Sequence, residues 1–186
     1  LMAPQVTATL EEKAAQTSLG SDVGSERQDL IVVNAPNPAA FLYEPYRWAY
    51  EGRPLPRAIR MLAPAFNTVR LTRQGERRLV ARAASQSLLD CERGERMDHV
   101  FFYRFLSDVR GDRHPLRAGD RISLPRLEIE VLAVDEGGSP VQVAFDFDVP
   151  LEDGSLKWLQ WSWNRDRYES FDLPAVGGTV ELPGPF

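Results

Sequence analysis

Leu30-Ile31-Val32-Val33 is an apolar run with no polar alternate, the pattern of a strand covered on both faces. It leads into Asn34-Ala35-Pro36-Asn37-Pro38, where Asn37 suits a helix cap and Pro38 the first helical position. Phe41, Leu42, Trp48 and Ala49 then recur at helical spacing up to Gly52. Pro45 falls inside this segment and predicts a kink or a division into two turns. After the Pro-rich connection Arg53–Pro56, Arg57–Leu62 reads as a second strand, so residues 30–62 form a small β–α–β unit.

Beyond this point the period changes to two. Thr68–Arg73 and Glu76–Ala83 flank Gln74-Gly75 and predict a hairpin. Ile122–Leu124 and Leu127–Val134 follow the turn at Gly119-Asp120, and Asp135–Pro140 is dense in turn residues. Val141, Val143, Phe145 and Phe147 then share one face, with Gln142, Ala144, Asp146 and Asp148 on the other. That alternation marks a half-buried antiparallel strand. Leu156–Trp163, Arg167–Phe171 and Thr179–Leu182 continue the series. The expected fold class is α+β: a small β–α–β unit followed by a mainly antiparallel β meander or sandwich over 119–182. Residues 1–29 read as a leader or linker, with a short helix at Thr9–Ser18 capped by Thr9 and Glu12. Residues 30–186 read as one globular domain. Within Ser85–Leu116 the apolar stretch Val100–Leu106 fits either a helix or a strand.

Composition narrows the function classes. The chain has 186 residues, 43% apolar and 26% charged, so it can bury an ordinary core. No window reaches the about 18 uninterrupted apolar residues of a membrane-spanning helix. A net charge of −5 argues against general nucleic-acid binding. One cysteine, Cys91, excludes an intrachain disulfide and a thiolate metal cluster. Two histidines, His99 and His114, are too few for a histidine-rich metal site, and no cofactor is expected.

Several groups could still carry chemistry. The strand–turn–helix at Ile31–Phe41 has the outline of an anion site, but its turn lacks the glycines of a phosphate loop and both prolines remove donors. A structural turn capped by Asn34 and Asn37 is the expectation. Asp146 and Asp148, two apart on one strand face, are weak candidates for a hard cation or an acid/base pair. Trp161 and Trp163 share strand parity and, with Tyr168, could stack a sugar or a partner's side chain. Leu159 on the same face favours a core role instead, with Trp161 and Trp163 mostly buried and Trp158 nearer the rim. Asp98, His99 and Cys91 lie close in sequence without a supporting nucleophile motif. Arg70, Arg73, Arg77, Arg78 and Arg82 make the first hairpin basic, a solvated face or a contact for anionic lipid.

A resemblance rests on two sets of residues. One is Leu30–Val33 running into Asn34-Ala35-Pro36-Asn37, then Arg53-Pro54-Leu55-Pro56 and Arg60-Met61-Leu62-Ala63-Pro64. The other is Gly119-Asp120-Arg121-Ile122 with Val149-Pro150-Leu151-Glu152-Asp153-Gly154-Ser155-Leu156-Lys157-Trp158-Leu159-Gln160-Trp161. Over roughly residues 28–182 they resemble the C-terminal soluble domain of uncharacterised bacterial multi-pass membrane proteins. The resemblance implies tethering to upstream transmembrane helices, a membrane-associated setting and an extracytoplasmic, periplasmic side. It carries no functional residues. Three functions remain open: a non-catalytic extramembrane domain for assembly or partner contact, a glycan or ligand-binding module on the Trp-rich strand, and a hydrolase or transferase with strand-borne carboxylates.

Overall fold

A computed structural model describes residues 19, 26–36, 38–65, 67–85, 87–89 and 115–184, and among these described residues it forms ten strands and one helix. The described residues group into two compact units. The first takes residues up to Met61 together with Gly154–Phe171, and the second takes Leu62–Asp153 and Asp172–Phe186. The expected leader helix at Thr9–Ser18 and the apolar stretch Val100–Leu106 lie outside the described residues.

In the first unit, β1 (Asp29–Val32), α1 (Pro38–Tyr50) and β2 (Ala58–Met61) form the β–α–β unit read from the sequence. β1 runs parallel to β2 on one side and to β8 (Leu156–Ser162) on the other. β9 (Arg167–Ser170) closes the sheet against β8, giving the order β2-β1-β8-β9. The central position explains the unbroken apolar run, because Leu30, Ile31 and Val32 are all buried. Leu30, Val32 and Leu159 pack with Ala35, Leu19 and Trp48 of α1, and Ile59, Met61 and Tyr168 flank them. Pro45 is accommodated inside one continuous helix rather than dividing it. At the start of β1 the buried Asp29 carboxylate accepts from Arg57 Nε at 2.7 Å, and its amide donates to Ser155 at 2.8 Å.

The second unit is a six-stranded antiparallel sheet in the order β10-β3-β4-β7-β6-β5. Its strands are β3 (Val69–Arg73), β4 (Arg78–Ala83), β5 (Arg121–Leu124), β6 (Leu127–Val134), β7 (Pro140–Phe147) and β10 (Thr179–Leu182). The alternation expected at 141–148 holds in part: Val143, Phe145 and Phe147 are buried, Asp146 is half-buried and Asp148 exposed, but Val141 is only half-buried and Ala144, on the opposite parity, is fully buried. Two turns follow their sequence signals, and a third, between β5 and β6, carries none. Gln74 closes the β3–β4 hairpin by donating to Arg78 at 3.0 Å. Asp135 accepts from Gly138 through its carbonyl and from Ser139 through its side chain at 2.8 Å, with Gly138 at φ 76°. The two-residue β5–β6 connection places Pro125 first and Arg126 second, Arg126 taking φ 65°.

Only part of the last segment is a meander. β5, β6 and β7 follow one another as neighbours, but β8 and β9 join the other sheet and β10 returns to β3. The reason lies in β8, where Leu156 and Trp158 on one parity and Leu159 and Trp161 on the other are all buried. A strand apolar on both faces suits the interior of a mixed sheet better than an exposed meander. The same fact corrects the expectation for Trp158. It is not a rim residue: it is 8% exposed, pairs with Ile31 and meets Phe171 with ring centroids 6.5 Å apart.

Candidate functional site

β1 and β8 are adjacent parallel strands whose chains depart in opposite directions. From its carboxyl end β1 continues through α1 to β2, whereas β8 turns back to β9 on the other flank. In open sheets, ligand sites lie outside the carboxyl ends of the parallel strands at a divergence of this kind. Asn34 and Trp161 occupy this point. The Trp161 amide donates to Asn34 Oδ1 at 2.8 Å, and Val33 N–H donates to the Leu159 carbonyl just below.

The aromatic residues singled out from the sequence gather here. Trp161 meets Tyr168 edge-on at 5.1 Å and Trp163 edge-on at 6.1 Å. Trp161 is 6% exposed, and Trp163 and Tyr168 are half-buried. Trp161 therefore has no open face for a flat sugar ring, and its large apolar area works in the core of the unit. The Tyr168 phenol is pushed well above its ordinary pKa, first by burial and then by the charge of Glu44 on α1. Glu44 is itself buried and accepts from Arg47 at 2.8 Å. Arg53 stacks over the Trp48 ring 4.4 Å from its centre, a cation–π contact.

Sequence reasoning missed the polar side of this cluster. Among the described residues, the buried side-chain atoms without a hydrogen-bond partner are Asn34 Nδ2, Trp48 Nε1 and Trp161 Nε1. All three are N–H donors, and all three belong to the first unit. An unmatched buried donor costs about 1–3 kcal/mol, and few such groups persist in folded proteins. Asn34 was visible only as a cap, Trp161 only as an aromatic candidate, and Trp48 only as an apolar helix position.

The other candidates separate. Asp146 accepts from Arg78 at 2.6 Å, and Asp148 from Arg126 at 2.8 Å. Arg78 also reaches Glu130 at 2.8 Å, and Arg121 bridges Glu128 and Glu130. The guanidinium of Arg78 holds the Glu130 carboxyl below the usual carboxylate range, with Arg121 adding to the effect. Each aspartate is thus matched by an arginine rather than converging on its partner. Among the described residues no three His, Cys, Asp or Glu side chains are placed to hold a metal ion. The basic hairpin is largely neutralised as well: Arg70 pairs with Glu181 and the buried Arg73 with Glu152, while Arg77 donates to the Asp148 carbonyl. Asp98, His99, Cys91 and His114 lie outside the described residues.

A further surface comes from α1. Tyr43, Tyr46 and Tyr50 are spaced i, i+3, i+7 on one face and are 70%, 76% and 93% exposed. The sequence signal was present in that spacing but was hidden by the apolar positions that share the helix. Comparison with family models, curated proteins and solved structures finds no match for this chain.

Proposed function

We propose that this chain is a non-catalytic extramembrane domain whose work is contact with a protein partner, made through the tyrosine face of α1. One observation carries the reading. Three large aromatic side chains stand exposed in a row on a helix whose opposite side, through Trp48, is anchored in the core. Tyrosine supplies wide, stiff, amphipathic contact area at a low entropic cost, which is why it is enriched in interface centres. The neighbouring charges do not compete, since Arg47 is engaged by Glu44 and Glu51. The resemblance of residues 28–182 to domains carried by bacterial multi-pass membrane proteins supports a membrane-tethered, extracytoplasmic setting.

The test is site-specific photocrosslinking in bacterial cells expressing the full protein, with a photoreactive phenylalanine analogue at position 46. A discrete adduct is expected, lost when Tyr43 and Tyr50 are both replaced by Ser while the thermal midpoint stays unchanged. Absence of any adduct at 46, with adducts from control positions on β3, overturns the proposal.

A further inference from the structure

Among the described residues four strands end the two sheets: β2 and β9 in the first, β5 and β10 in the second. β5 differs from the other three. All four of its residues are exposed. Its Ile122 and Leu124, 42% and 40% exposed, are the only large apolar side chains standing exposed on a strand among the described residues. Sheets normally blunt an edge with lysine, proline or a bulge, and an open apolar edge takes up another strand. β5 carries none of these within its length, and its register with β6 is unbroken.

Register decides which strand fits. Arg121 pairs with Glu130, and one step earlier Val131 donates to the Asp120 carbonyl at 2.9 Å. Bonded and non-bonded pairs alternate along an antiparallel ladder, so Ile122 and Leu124 turn their backbone groups to β6 while Arg121 and Ser123 turn theirs to solvent. Opposed side chains share a face. Ile122 and Leu124 therefore lie with Ile129 and Leu127 on the apolar face, and Arg121 and Ser123 with Glu130 and Glu128 on the charged one.

A second β5, antiparallel about a two-fold axis at Ile122, meets each of these features. Arg121 of each copy falls opposite Ser123 of the other, and each such pair exchanges its outward N–H and carbonyl groups. Ile122 meets its own counterpart, with Leu124 diagonal to it. On the charged face the incoming Arg121 comes into line with Ser123, Glu128 and Asp146. An open depression of about 280 Å³ lies there, and its charged lining is Glu128, Asp146 and Asp148 against the single Arg126. That surplus of carboxylates suits the arginine that the second strand brings. Moving the axis to Ser123 would set Arg121 opposite Pro125, which has no N–H to donate. We propose that two copies of this chain dimerise by joining their six-stranded sheets through antiparallel β5 pairing about Ile122. The tyrosine face belongs to the other unit, and the proposal does not depend on it. So short a strand makes a small interface, and the dimer is weak and concentration-dependent.

Sedimentation velocity of the full chain over about a hundredfold range of concentration should show monomer passing into dimer. Ser123→Pro removes an outward N–H and leaves the β5–β6 bonds in place, so the thermal midpoint should hold while dimerisation weakens about tenfold or more. Cysteine pairing reads the register independently. In a Cys91→Ser background, Ile122→Cys should form an intermolecular disulfide in air, because opposed residues of a non-bonded pair lie about 4.5 Å apart between Cα atoms. Ser123→Cys and Leu124→Cys are offset along the strand from their counterparts by more than the about 7 Å that a disulfide spans, and should stay unlinked. Three results would each overturn the proposal. One is a monomer at every concentration, whether the edge stays solvated or serves a foreign strand. Another is a dimer indifferent to Ser123→Pro, which places the contact on a different face. The third is equal linking at positions 122, 123 and 124, the mark of random collision.

Discussion

The amide of Trp161 donates to the side-chain oxygen of Asn34 across 127 positions of sequence, and it is buried at both ends. This bond fixes where β8 stops running beside β1. Replacing Asn34 by Ala would strand the Trp161 N–H in the interior, at a cost of about 1–3 kcal/mol. Urea unfolding of Asn34→Ala should show that loss. Asn34→Asp, which keeps the acceptor, should recover part of it only at pH values low enough to protonate the buried carboxylate.

The three tryptophans of β8 and its following turn should rank by burial. Trp158→Ala and Trp161→Ala remove buried rings and should each cost about 3–5 kcal/mol. Trp163→Ala, from a half-buried site, should cost less than either. Chemical denaturation of the three single variants checks the order, and a Trp158→Ala midpoint near wild type would contradict its place in the sheet.

Arg126 holds a left-handed conformation that suits glycine, at φ 65°, and its guanidinium is engaged by Asp148. The backbone conformation costs an L-residue about 1–2 kcal/mol, and a partly exposed ion pair returns about 0–1 kcal/mol. Arg126→Gly should therefore unfold at the wild-type temperature or above it. Asp148→Ala, which keeps the strain and loses the pair, should unfold slightly below. Differential scanning calorimetry of both variants would show whether the order is reversed.

Acid should act on the ion-pair ladder of the six-stranded sheet and on the arginine–carboxylate pairs beyond it. Glu130 is held below its ordinary pKa by Arg78 and then Arg121, and Glu152 and Glu169 are lowered by Arg73 and by Arg165 with Arg167. A carboxyl with a lowered folded pKa contributes fully above its unfolded value of about 4.3 and loses that contribution as pH falls through the folded value. Stability should hold above about pH 5 and decline below it. The gap between wild type and Glu130→Gln should shrink between about pH 6 and pH 3. A constant gap would show that the ladder contributes nothing to folding.

Local chemistry made most of the strands legible. β6 and β10 fall where alternation and turn residues placed them, at Leu127–Val134 and Thr179–Leu182, and the β3–β4 hairpin turns where Gln74-Gly75 indicated. Partnering was less legible. Nothing local in Leu156–Ser162 says that it runs parallel to β1, although burial of both its parities is the physical trace of an interior strand. The candidate site suffered for the same reason. Trp161 was visible as an aromatic residue and Asn34 as a cap, but their meeting depends on a pairing between distant segments. The outer face of α1 was overlooked because Tyr43, Tyr46 and Tyr50 count as apolar in a periodicity search while standing in solvent.

The parallel pairing of β1 with β8 also sets an order of assembly. During synthesis β1, α1 and β2 all leave the ribosome well before β8, β2 ending at Met61 and β8 starting only at Leu156, and a two-stranded parallel pair is a weak structure alone. The hairpins of the other sheet, β3–β4 and β5–β6–β7, close over short loops and can form in that interval. Until Leu156–Ser162 arrives, one edge of Leu30-Ile31-Val32 stays open, apolar on both faces and ready to pair with a foreign strand. A chain truncated before Gly154 should therefore aggregate even though its six-stranded sheet would lack only β10. The edge of β1 is thus exposed early, and the strand that covers it, β8, is encoded far downstream.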